Sequence, residues 1–387
     1  MSEMTPRERF KAVTQFKKPD KLPWYEIFFD ETIIRWIEEG LPLKEVISKP
    51  KYALLFEGGL QLSWPAFATF DPYSFFGCST FHTCIVPIDL APIPRYLSDV
   101  LEENDRYEVY RAEHGVIIKV FKDRTYMMPE FLDFPVKNKK DWEKYKARLN
   151  PEDPRRYPKY WEKDQVIDFY ENSKVPVTLY MGGFYTIGRE IMGTVNFTTA
   201  FYKDPELIEE ILDYYAEFLI ETLKEVVETL KWRIDLIYWH EDMAHRHGPN
   251  ISPKLFKEFM LDNYKKVTSF FRKNGINNIM VDTDGNFEVL IPLLIEGGIN
   301  GFWPLEVSAG MDAIKIRKEY GNKLFLIGNI DKRALVFGKN AIEKEVNSKV
   351  PILKELGGYI PSLDHLVPPE IPYENFKHYV KILKQYL

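Results

Sequence analysis

The chain has 387 residues, 45% of them hydrophobic, and a formal net charge of −6. That length allows one large domain with a sizeable core, and the interspersed signs of charge exclude a basic nucleic-acid surface or a charged binding tail. With only two cysteines, Cys78 and Cys84, a disulfide framework and a cysteine-rich zinc knuckle are excluded as well.

Met1 to Lys18 is polar and charged, unlike a signal peptide, and no apolar run reaches the ~18 residues that a membrane helix needs. A cytoplasmic protein with no membrane contact is expected. The stretch from about Leu60 to Pro154 is rich in aromatics, prolines and turn residues. Within it "YEVYRAEHGVIIKVF", Tyr107 to Phe121, alternates as a β-hairpin does. The region 60–154 reads as an insertion after a first strand, a lid or pocket wall. Short apolar runs of strand length follow at 175–181, 234–240, 277–281, 299–303 and 323–328, separated by helical patterns at 205–230, 252–273, 286–296, 310–320 and 340–355. Near-continuous hydrophobic strands alternating with helices indicate a parallel sheet covered by helices, and the number of units favours a (β/α)8 TIM barrel over an open doubly wound sheet. One barrel domain over 1–387 is predicted.

In such a barrel the C-terminal strand ends share one mouth, where active sites form. Past the predicted strands stand Gly182 and Gly183; His240, Glu241 and Asp242; Asp282 and Asp284; Glu306; Asn329 and Asp331; and, in the last βα turn, Asp364 and His365. Any one acid is more often the cap of the next helix. Acids or histidine after five successive strands repel one another unless a cation, a proton or a basic substrate compensates them, so the cluster predicts a metal or displaced pKa values. "WHEDMAHRHGPN" has no His-Glu-x-x-His zinc motif, because the second histidine comes five residues after His240. His240 is expected to line the pocket, and His245 and His247 the surface. The thiols around His82 in "GCSTFHTC" match no zinc spacing and read as incidental. "FDPYSFF", ending at Phe76, reads first as core and second as a stacking platform in the lid.

"TPRERFKAV", "PDKLPWYE", "GGFYTIGREIMG", "HGPNISPKLFKEF", "GNIDKRAL" and "GGYIPSLDHLVPPEIPYENF", in this order and spacing, resemble the uroporphyrinogen decarboxylase superfamily along nearly the whole chain. The resemblance implies a (β/α)8 barrel and either of two activities, porphyrin-forming decarboxylation or cobalamin-dependent methyl transfer. The decarboxylases grip the carboxylate arms of their tetrapyrrole with an arginine pair near the N-terminus. Here "LPWYEIFFDETIIRW" carries acids instead. Their catalytic aspartate matches Asp71 loosely, their tyrosine is replaced by Glu190, their serine falls near Glu241, and only their late histidine is kept, as His365.

The methyltransferases hold zinc with a His-x-Cys-Gly pair and a later cysteine. "DTDG" places Asp282 and Asp284 at the first two of those positions and "PYENF" brings His365 to the third. Harder ligands of this kind suit zinc and equally manganese, iron or cobalt. The resemblance therefore implies a divalent metal, zinc first, on Asp282, Asp284 and His365, with Glu241 as a further catalytic group. Asp71, Tyr185, His240 and Glu306 are the expected substrate-binding residues. The expected function is metal-dependent transfer of a methyl group between a small methylated compound and a corrinoid on a partner protein or a thiol. The alternatives are a decarboxylase of porphyrin biosynthesis and a non-catalytic binding barrel. A homodimer bordering the mouth is expected from the resemblance and the aromatic insertion.

Overall fold

A computed structural model of the protein describes residues 3–42, 72–80, 84–123, 128–158 and 163–387. The first strands form an antiparallel sheet in chain order: β1 (Val100–Glu103), β2 (Tyr107–Arg111), β3 (Ile117–Phe121) and β4 (Glu130–Asp133). Tyr107 pairs with Phe121 across β2 and β3, so the alternating run does fold into a hairpin. The buried guanidinium of Arg156 donates to the carbonyls of Asp89, Ala91, Arg148 and Asn150, which ties both ends of this region together. The amide of Val136 donates to Ile191 O (2.9 Å), and so docks the region beside the helix Phe184–Met192. Positions 60–71 of the expected insertion lie outside the described residues.

The main sheet is parallel throughout. Its strands are β5 (Thr178–Gly182), β6 (Leu236–His240), β9 (Ile279–Asp282), β10 (Gly301–Trp303), β11 (Phe325–Ile330) and β12 (Tyr359–Leu363), in the order β12-β11-β10-β9-β6-β5. Two-residue strands β7 (Ala244–His245) and β8 (Gly248–Pro249) make a ribbon in the loop after β6. Beyond β12 the amide of Tyr25 donates to Pro361 O and that of Glu26 to Ser79 O, both at 3.0 Å. Beyond β5, Val86 and Thr178 exchange bonds with Thr178 and Cys84, both at 2.8 Å. The segments near Tyr25, Ser79 and Val86 thus continue the ring by single bridges. Pro23 and Pro87 lack amide donors and keep these segments from laddering. The fold is the α/β arrangement of a TIM barrel, with six laddered strands and no closed ladder among the described residues.

Five of the six strands lie within a few residues of the expected runs. β12 was not expected as a strand, because Gly357, Gly358 and Pro361 mask its pattern. Its five register pairs to β11 hold it instead. The helix Pro205–Leu230 has the expected limits; Asp204 caps it by accepting from Leu207 N (3.3 Å), and Pro205 suits its first turn. Leu207, Ile208, Ile211, Leu212, Tyr215 and Leu219 bury one face of it, each such side chain contributing about 1.5–3 kcal/mol. The expected helix 252–273 is interrupted by a π-turn at Phe256–Met260.

Strand alternation divides the core in two. Leu236 and Tyr238 of β6, Met280 of β9, Trp303, Phe325, Ile327 and Ile360 fill the inside of the sheet with Phe10, Tyr25 and Ile27. Leu179, Met181, Ile237, Trp239, Ile279 and Val281 face the helices. No helix among the described residues is long and apolar enough to cross a membrane.

Candidate active site

The sheet register sets one layer of side chains at the strand ends. Gly182 pairs with His240, His240 with Asp282, and Asp282 with Trp303. His240 follows Tyr238 by two, and Asp282 follows Met280 by two, so both point to the inner face at the mouth. His240 Nδ1 lies 2.7 Å from Asp282 Oδ2, and the same oxygen accepts from Tyr238 Oη at 2.8 Å. Tyr180 stacks on both His240 and Tyr238. Burial opposes charge on His240, but the bond and charge of Asp282, with Asp242 and Glu190 nearby, push its pKa up to about 9.

A second carboxylate–imidazole pair stands beside the first. His365 Nε2 lies 3.4 Å from Asp284 Oδ2, and its ring stacks on Phe29. Burial works against the charge of His365, and the Asp284 bond outweighs it, so its pKa is raised. Burial also works against the charge of Asp284; His365 and then Lys332 reverse this and lower its pKa. Glu306 accepts from Gly285 N (3.1 Å) and Ser308 Oγ (3.1 Å), with Lys332 Nζ at 3.7 Å. Asp364 is buried and accepts from the amides of Val307 and Lys332, each at 2.9 Å. It orders the loops under the mouth.

Two expected site residues face elsewhere. Glu241 follows Trp239 by two and so shares the helix-facing side of β6, not the mouth. It is fully buried; its carboxylate accepts from the amides of Phe184 (2.9 Å), Tyr185 (2.8 Å) and Thr186 (3.3 Å), from Trp239 Nε1 (3.1 Å), and from Tyr264 Oη. A carboxylate at that place satisfies the free amides of the helix Phe184–Met192 and complements its dipole. Gly183 is required beneath it, because a Cβ there would lie 2.1 Å from Glu241 Oε1. Tyr185 is fully buried as well, edge-on to Phe197. Asp71 lies outside the described residues, as does His82. His245 and His247 are exposed.

Asp282, Asp284 and His365 do meet at one mouth, but as members of two pairs. Among the described residues no three His, Cys, Asp or Glu side chains form a metal-holding group. In this arrangement Asp282 Oδ2 meets His240 and Tyr238, while Asp284 Oδ2 faces His365. Residues missed from the sequence are Tyr180, Phe29, Lys332 and Arg189, whose Nη2 lies 2.8 Å from Asp242 Oδ2. Arg189 stands in "GGFYTIGRE" on the helix Phe184–Met192, and its pairing with Asp242 across to the loop after β6 leaves no local signal in the sequence.

Residues 115–386 match the model of a family described as uroporphyrinogen decarboxylase (URO-D). A uroporphyrinogen decarboxylase of Mannheimia succiniciproducens is 24% identical over 232 residues, 56% of this chain and 60% of the relative. One from Helicobacter pylori is 27% identical over 195 residues, 47% of this chain and 50% of the relative. The matched parts thus span half to three fifths of these relatives' lengths. Among solved structures, a methyltransferase from Methanosarcina mazei superposes with a TM-score of 0.62 at 16% identity, covering 99% of both chains. At that identity the likeness concerns the fold.

Proposed function

This chain belongs to the uroporphyrinogen decarboxylase family, and from that premise we propose that it is an enzyme transferring a methyl group between a small methylated substrate and a corrinoid or thiol acceptor. The observation that carries this reading is how the charges at the mouth are paired. A tetrapyrrole with many carboxylate arms needs several free cationic donors. Arg35, the single arginine between Arg9 and Arg95, is bound to Glu39 (2.7 Å) and to the carbonyl of Pro369. Arg333 is closed on Asp331 (2.8 Å), and Lys332 lies between Glu306 and Asp364.

What the mouth offers instead is two imidazoles held by carboxylates, suited to proton transfer. In methyl transfer from an oxygen or nitrogen, the methyl carbon forms a bond to the thiolate or reduced corrinoid, and the leaving heteroatom keeps the bonding pair. His365, in its charged form, gives that heteroatom its proton, and Asp284 stabilises the imidazolium. Phe29 and Tyr180 supply apolar walls around the two rings. No step of this reading is routed through a metal.

The decarboxylase reading is supported by the named relatives and is decided by the same experiment. Purified protein is incubated with cob(I)alamin and a panel of methoxylated and methylated small molecules, and methylcobalamin formation is followed by absorbance. In parallel it is given uroporphyrinogen, and coproporphyrinogen is measured. Methyl transfer from one class of donor without porphyrinogen turnover supports the proposal. Porphyrinogen turnover at an enzymatic rate, or no methyl transfer from any donor, rejects it.

A further inference from the structure

Arginine usually meets a carboxylate through the parallel N–H groups of Nε and Nη2. Four arginines among the described residues close both prongs on one acid: Arg9 on Asp20 (2.7 and 3.0 Å), Arg155 on Asp153 (2.9 and 2.7 Å), Arg233 on Glu171 (3.1 and 2.7 Å) and Arg333 on Asp331 (2.9 and 2.8 Å). Arg189 departs from this pattern. Its Nη2 lies 2.8 Å from Asp242 Oδ2, while its Nε is buried with no hydrogen-bond acceptor among the described residues. A buried donor left unpaired costs about 1–3 kcal/mol. The half-used fork lies where the loop after β6 meets the helix after β5.

Asp242 itself is held in an unfavourable backbone conformation, with φ at 41°. For a residue without glycine's freedom this conformation is uncommon and clusters at functional sites. Its Oδ2 also lies 3.9 Å from His240 Nε2, the edge of the imidazole that Asp282 leaves open. One carboxylate oxygen therefore stands between the Arg189 fork and His240, and the second prong of the fork is unmet.

We propose that Arg189, beside the open edge of His240, is a subsite for a single carboxylate of the substrate, held in this structure by the side chain of Asp242. A substrate carboxylate takes both prongs of the fork, and Asp242 swings aside into the mouth. The substrate class is a small methylated monocarboxylate, because one fork serves one acid group. This deepens the methyl-transfer reading and depends on it for the reaction, while the binding stands on the fork alone.

The test is calorimetric titration of the full chain with benzoate and with benzamide, its neutral isostere, separately from any methyl-transfer assay. Benzoate binding at least about tenfold tighter than benzamide is expected, the usual scale of one charge-assisted bidentate contact. Arg189→Gln removes that preference. Arg189→Lys restores only part of it, because an ammonium has no fork. Asp242→Asn, tolerated at positive φ, tightens benzoate by removing the competing carboxylate. Equal binding of the two probes, no binding of benzoate to either the native chain or Asp242→Asn, or benzoate binding unchanged in Arg189→Gln overturns the proposal. Should Arg189→Gln fail to fold by circular dichroism, the isostere comparison and Asp242→Asn decide alone. A chain that binds benzoate through Arg189 but transfers no methyl group keeps the subsite and loses the reaction.

Discussion

His240 and Asp282 are register partners on adjacent parallel strands, and their side chains meet at 2.7 Å on the inner face of the sheet. Because Asp282 takes Nδ1, only Nε2 of His240 is left toward the mouth. A carboxylate in this position fixes ring orientation and stabilises the charged ring. His240→Ala is expected to lower the methyl-transfer rate by about 10²-fold or more, within the range of positioned acid–base groups, and to lower the melting temperature as well, because the buried carboxylate of Asp282 loses its charged partner. Asp282→Asn should lower the rate less, because the amide keeps the shape and loses the charge. A His240→Ala protein as active as the native one would remove this ring from the mechanism.

The pH dependence of the rate reports on His365. Its pKa is raised through Asp284, and its charged form is the proton donor, so activity should hold below the raised value and fall as pH rises through it. In Asp284→Asn the carboxylate that favours the imidazolium is gone, and the fall should begin at lower pH. Rate–pH profiles of the two proteins decide this. Superimposable alkaline limbs would dissociate His365 from the proton step.

Glu241 is expected to matter for folding. Glu241→Ala leaves the amides of Phe184 and Tyr185, Trp239 Nε1 and Tyr264 Oη without their acceptor, and stability should fall by about 3–5 kcal/mol, as for other broken buried charged networks. Chemical denaturation measures it. Loss of activity with an unchanged unfolding curve would instead give Glu241 the catalytic role expected from the sequence.

Glu26 gives a stability prediction with a defined sign. The side chain is fully buried, and burial pushes its pKa from 4.5 up to about 8, against the bonds from Tyr379 and Leu363 and with the charge of Asp364. The folded chain therefore holds this proton more tightly than the unfolded chain. Its contribution is fully present below pH 4.5 and is lost as pH rises through about 8. Glu26→Gln should raise stability on the order of a few kcal/mol at pH 9 and change little near pH 4. Melting curves that shift equally at both pH values would contradict the buried proton.

The sequence by itself determined the alternation of strand and helix, the hairpin at Tyr107–Phe121 and the set of acids and histidines that ends the strands, since periodicity and caps are local properties carried by neighbouring residues. It also carried the family, through the order of its motifs. Which face each of those acids occupies was not legible: Trp239 and Glu241 share one parity and His240 and Asp242 the other, but large aromatics lie on both faces, Tyr238 and Trp303 inside the sheet and Trp239 against the helices. Only the tertiary structure decided that Asp282 serves His240 and Asp284 serves His365, because those pairings join separate strands and loops and depend on sheet register. The strand Tyr359–Leu363 was hidden for a related reason. The two glycines just before it and its own proline mask the local signal, and the ladder to Phe325–Ile330 supplies what local propensity does not.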